Sequence, residues 1–161
     1  MLAVAAAIFS WAGAATPRAA WTAEAWLPHR DDAGRLVTTM TLEVLNEGPV
    51  PVTITGIALD VPGLRLLPLD AKNNEWASVE VAGYERDVIY RTVHVGDCAK
   101  VPREPRPVRF TYRTPLWSGE SEAVPGAWHI STPGEEDRVP LAWQRGLAAQ
   151  ACNEAVSDEW S

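Results

Sequence analysis

The clearest alternation in the chain runs from Leu36 to Asn46. Thr38, Met40, Leu42 and Val44 fall on one parity, and Thr39, Thr41, Glu43 and Leu45 fall on the other. Period two is the spacing of a strand with one buried face. Asn46-Glu47-Gly48-Pro49 then carries turn chemistry, because Asn and Gly tolerate positive φ and the proline forbids helix. Alternation resumes at Val50, Val52 and Ile54, breaks at Gly56, and continues on shifted parity through Ile57, Leu59 and Val61. A glycine at a parity shift predicts a β-bulge. The two runs flanking the turn are expected to pair as a hairpin.

Elsewhere the strand pattern is shorter. Trp21 to Pro28 reads as a first edge strand and His29 to Gly34 as a polar turn. Pro62-Gly63 turns into Leu64 to Leu69, and Trp76 to Val81 alternates after a polar loop. In Arg86 to Val95, Ile89, Val93 and Val95 share their parity with Arg91, which predicts either a bulge or an edge position. Lys100 to Pro107 is a proline-rich basic connector that cannot be helical. Val108, Phe110 and Tyr112 mark another strand; Leu116 to Thr132 reads as turns around Trp117 and Trp128, and Pro133 to Asp137 as an acidic turn. Val139 to Trp143 is a last strand, or the entry to a short helix from about Gln144 to Val156. Seven or eight short strands at such spacing predict an all-β, immunoglobulin-like antiparallel β-sandwich.

Composition refines this. Thirteen prolines and eleven glycines in 161 residues break the chain into short pieces, which suits strands better than a helix bundle. Met1 to Pro17 carries no side-chain charge, and Ala12-Gly13-Ala14 resembles a signal cleavage site. Residues 1–20 are therefore expected to be a signal peptide or membrane anchor, although the apolar run is short of the roughly 20 residues of a span. Residues 21–161 would form the sandwich domain, secreted or anchored on the outer side of the cytoplasmic membrane. In such a location Cys98 and Cys152 are expected to form a disulfide. The net charge of −7 repels phosphate backbones and argues against nucleic acid as a partner.

Asn46-x-Gly48-x-x-Pro51-Val52-x-Ile54-x-Gly56-Ile57, then Pro62-Gly63-Leu64, then a strand ending in Val95-x-Asp97-Cys98, resembles the exported immunoglobulin-like domain proteins of actinobacterial type, a group of uncharacterised function. The resemblance covers roughly residues 35–152 and implies fold and an extracytoplasmic location. It carries no catalytic residues. The turn at Ala82-Gly83 departs from it by lacking a preceding proline, and the tryptophan-rich tail departs as well.

Few constellations carry chemistry. No Gly-x-Ser-x-Gly elbow or glycine-rich phosphate loop is present, and no residues are assigned to catalysis or to a cofactor. His94-Val-Gly-Asp97-Cys98 offers three ligand types, but His94 and Cys98 share parity while Asp97 points elsewhere, and His29 with Asp31 and Asp32 sits in a polar turn. A metal carrier using His94 or His29 is one alternative reading. The basic run Lys100, Arg103, Arg106, Arg109 and Arg113 contrasts with an acidic stretch from Glu120 to Asp137, and its alternate arginines read as a solvent face paired with nearby acids. Of the eight tryptophans, one of Trp26, Trp76 and Trp143 is expected to fill the core. Trp117 and Trp128, in loops, could stack on sugar or form a protein hot spot. The expected function is a non-catalytic binding domain of the cell envelope, with another envelope protein or a cell-wall polymer as partner. Its candidate surface is Trp117, Trp128, Arg103, Arg106, Arg109 and Arg113; a module for cell-wall glycan is the alternative from a different class. The membrane would be a further partner if the N-terminal segment is retained.

Overall fold

A computed structural model describes residues 23–70, 75–130 and 139–158. The segment read as a signal or anchor, the acidic turn at Pro133 to Asp137 and Trp160 lie outside the described residues. Among the described residues ten strands precede one helix: β1 (Ala23–Arg30), β2 (Leu36–Leu45), β3 (Val52–Leu59), β4 (Leu64–Leu66), β5 (Val79–Val81), β6 (Arg86–Val95), β7 (Val108–Arg113), β8 (Ser118–Ala123), β9 (Trp128–Ile130), β10 (Val139–Leu141) and α1 (Trp143–Asp158). They build a four-stranded antiparallel sheet in the order β1-β2-β6-β4, a second in the order β5-β3-β7-β8, and a small β9-β10 ribbon. Met40, Leu42, Ile89 and Val93 of the first sheet share one hydrophobic core with Val52, Ile54, Val108 and Phe110 of the second. The architecture is a β-sandwich.

The strand periodicity translates directly into burial. Thr38, Met40, Leu42 and Val44 of β2 are all buried, as their common parity requires. The bulge also stands where the parity shift puts it, since the pairing of β3 with β7 slips between Ile54 and Gly56. Pro62-Gly63 forms a turn closed by a hydrogen bond from Leu64 N–H to the Val61 carbonyl at 3.1 Å, with Gly63 at φ 85°. Proline followed by a positive-φ glycine is the type II arrangement. A Cβ at Gly63 would also come within 2.4 Å of the Asp97 carbonyl oxygen.

The expected hairpin between the runs at Leu36 to Asn46 and Val50 to Val61 is not formed. β2 pairs with β1 and β6, whereas β3 pairs with β5 and β7, so the chain crosses from one sheet to the other between them. Pro49 and Pro51 have no N–H to extend a ladder, and Asn46 is committed to a different partner. Its buried Nδ2 donates to the carbonyls of Val50 (2.8 Å), Val81 (3.2 Å) and Ala82 (3.1 Å), while its Oδ1 accepts from Gly48 N–H at 3.1 Å. Tyr84 N–H donates to the Gly48 carbonyl at 3.0 Å, from a backbone at φ 61°. The crossover is thus fastened to the β5–β6 turn. Asn46→Ala, which removes the shared donor of three carbonyls, is expected to lower unfolding free energy by about 2 kcal/mol in urea titration. A loss within about 0.5 kcal/mol of zero would show that water replaces the side chain.

Two other expectations change. The strand count among the described residues rises to ten, because Leu116 to Thr132 contains β8 and β9 instead of turns alone. The segment Ser-Gly-Glu-Ser-Glu-Ala of β8 has no apolar alternation; it is an edge strand formed by pairing with β7. β6 has neither a bulge nor an edge position: it runs in unbroken register along β2 and is flanked on its other side by β4. Arg91 occupies its inner face for a reason given below.

The C-terminal element is a helix. Trp143, Leu147, Ala148 and Ala151 form its buried stripe, at the spacing an α-helix gives to one face. The helix packs against β1, β2 and β9. No helix among the described residues is long and apolar enough to cross a membrane. Trp143 is fully buried and fills the core, whereas Trp76 is 62% exposed and the Trp26 side chain lies outside the described ones. The first helical turn also holds the Lys100 to Pro107 connector. Trp143 Nε1 donates to the Arg106 carbonyl (2.7 Å), Gln144 Nε2 to those of Pro102 (3.2 Å) and Glu104 (2.6 Å), and Arg145 to that of Cys98 (2.6 Å). Cys98 and Cys152 are joined by a disulfide.

A candidate binding cleft between the sheets

β4 is a short edge strand of the first sheet, and after it the chain must reach β5 at the edge of the second. The ladder continues one residue past β4, where Leu67 N–H donates to the Thr92 carbonyl at 2.9 Å. Beyond that point β6 would be left with an unpaired backbone donor in the interior, a costly state. Glu75 fills the gap. Its fully buried carboxylate accepts from the N–H of Thr92 through Oε1, and from that of Asp70 through Oε2 at 3.0 Å. A side chain therefore replaces the missing strand carbonyl.

A buried carboxylate needs a compensating charge. Arg91 supplies it from the inner face of β6, with Nε 3.9 Å from Glu75 Oε2 and Nη2 donating to the Leu67 carbonyl at 3.0 Å. That partner explains the arginine among Ile89, Val93 and Val95. Nε makes no hydrogen bond, and Nη1 has no partner among the described residues. The side chain is only 12% exposed.

Among the described residues, Arg91 is the one cationic group lining a cleft of about 290 Å³ between the two sheets. Ile54, Ile57, Leu69, Trp76, Val79 and Ile89 contribute its apolar lining. Leu69 (46%) and Trp76 (62%) remain exposed there. Chemically the cleft offers apolar walls, one fixed guanidinium and an aromatic rim. Glu75, Arg91 and Trp76 were not picked out as site residues from the sequence. The available signal was the arginine set on an otherwise apolar strand face.

The residues singled out from sequence lie elsewhere. Trp117 is partly buried and packs against the core; Trp128 lies on β9, with its side chain outside the described ones. Arg109 pairs with Glu122 at 3.2 Å and Lys100 with Asp97 at 3.1 Å. Arg103, Arg106 and Arg113 are exposed. Arg106 and Arg109 line a second groove with Asp60 and Glu122, of about 160 Å³. Lys100 holds the Asp97 carboxyl below the usual carboxylate range, and Arg35 does the same for Asp31. His29 and His94 stand on either side of Val37 across the first sheet, roughly 9.5 Å apart at the backbone given about 4.8 Å per strand. Among the described residues, no three His, Cys, Asp or Glu side chains converge as a metal site would require.

No family model matches the chain, and no curated protein matches it. Among solved structures, it is similar to the crystal structure of a FixG-related protein from Vibrio parahaemolyticus, with 12% identity and a TM-score of 0.39. That alignment covers 68% of this chain and 98% of the other.

Proposed function

We propose that the protein is an immunoglobulin-like domain that binds another protein outside the cytoplasmic membrane, through the cleft between its sheets. The strand orders support the architecture. The order β1-β2-β6-β4 opposite β3-β7-β8 follows the constant-type arrangement of the immunoglobulin sandwich, with β5 added at one edge. The disulfide fits an oxidising compartment, where such bonds persist.

The observation that carries the binding reading is Trp76. A tryptophan 62% exposed beside exposed Leu69, over a cleft, leaves a large apolar area in water that a partner would cover. Tryptophan is also among the residues that dominate protein interfaces. The glycan reading drew on Trp117 and Trp128, and Trp117 is partly packed against the core.

Photo-crosslinking in intact cells tests this. A photoreactive side chain at position 69 or 76 is expected to yield a discrete protein adduct, and one at the exposed Glu80 of the β5 edge none. Adducts from Glu80 alone, or from no position, would overturn the assignment of the surface.

A further inference from the structure

We infer that the cleft captures the C-terminal residue of a partner protein, with an apolar side chain between the sheets and its free carboxylate on Arg91. This rests on the protein-binding reading above and names the chemistry of that site. The guanidinium has a planar fork suited to carboxylates. Here Nη2 is occupied by the Leu67 carbonyl and Nε is turned towards Glu75, so Nη1 is the arm left for a ligand. Glu75 shares the guanidinium's charge through Nε, but its two oxygens accept from the backbone of Thr92 and Asp70, so it forms no hydrogen bond to Nη1.

The same contacts hold Arg91 in place before any ligand arrives, which lowers the entropic cost of binding. Ile54, Ile57, Val79 and Ile89 line the cleft together with Thr55 and Ser78, and this partly apolar wall strengthens a charge-assisted hydrogen bond relative to one in open water. The volume limits the occupant. About 290 Å³ stands at the lower end of the range of about 300–1,000 Å³ typical of small-ligand sites. It suits one residue, with the preceding residues of the partner lying on Leu69 and Trp76.

The test uses acetyl-Gly-Ala-Leu with a free carboxylate, the same peptide amidated, and octanoate, each titrated into ¹⁵N-labelled protein. The free acid is expected to shift the backbone signals of Gly56, Ile57 and Leu69 and the Arg91 Nε–Hε signal. The amide is expected to bind about tenfold more weakly, as loss of a charge-assisted bond implies. Trp76→Ala, a change at an exposed site that leaves the core intact, should weaken the free acid severalfold. Equal binding of acid and amide overturns the inference, as do shifts confined to other surfaces. Binding of octanoate without the peptide also overturns it, in favour of a free amphipathic acid. Discrete adducts at position 76 together with peptides that fail to bind would leave the protein-binding reading standing and remove only the terminal carboxylate.

Discussion

Glu75→Ala is expected to destabilise the fold by about 3–5 kcal/mol, the range for breaking a buried ion pair by deleting one partner. The substitution leaves three groups without their acceptor: the N–H of Thr92, the N–H of Asp70 and the Arg91 guanidinium. Asp70 is exposed and its N–H can turn to water, but Thr92 is buried and Arg91 is only 12% exposed. Marginal domains have about 5–15 kcal/mol in total, so the loss would consume a large share of it. Arg91→Ala should cost a similar amount, because it strands the carboxylate. The double replacement Glu75→Leu with Arg91→Met should lose less than the two singles added together, since no uncompensated charge remains. Urea unfolding of the four proteins measures all of this. A loss below about 1 kcal/mol for Glu75→Ala would mean that the carboxylate does not stand in for a strand.

Reduction of the Cys98–Cys152 disulfide is the second large effect. The bridge closes a loop of 54 residues. In the chain-entropy model a loop of that length stabilises by about 4 kcal/mol. For a domain of this size that corresponds to a fall in Tm of roughly 10 °C. The loop contains β7 to β10 and most of α1, so the bridge restrains nearly the whole C-terminal third of the fold in the unfolded chain. In the native state the helix keeps other ties, from Trp143, Gln144 and Arg145 to the connector. The reduced protein is therefore expected to retain its strands, with hydrogen exchange rising first in the last turns of α1. Calorimetry with and without reductant, and with Cys98→Ala/Cys152→Ala, checks the magnitude. An unchanged Tm would place the helix under the control of its side-chain contacts alone.

The cleft and the disulfide stand apart in the fold. The bridge belongs to the β6–β7 connector and α1, whereas the cleft lies between β3, β6 and the β4–β5 connector. Losing the first should weaken stability without altering the second's ligand chemistry, so binding and stability can be measured separately.

What the amino-acid order determined by itself was local. Period-two alternation placed β2, β3, β6 and β7 and chose their buried faces, Gly56 marked the bulge, and Pro62-Gly63 marked a turn. These follow from backbone geometry and side-chain volume within a few residues, which is why they can be read along the chain. What only the tertiary structure decided was which strand lies beside which. Turn chemistry at Asn46 to Pro49 serves a hairpin and a crossover equally well. The choice depended on carbonyls 35 and 36 residues away at Val81 and Ala82. The polar strand β8 exists because β7 offers it a ladder, and its own sequence gives no sign of it. Arg91 looked like a flaw in a strand until Glu75, sixteen residues earlier, was brought to it by the end of β4. Charge pairing across the interior acts through distance in space and not along the chain. For that reason the cleft, with its one guanidinium and its exposed tryptophan, belongs to the tertiary structure alone.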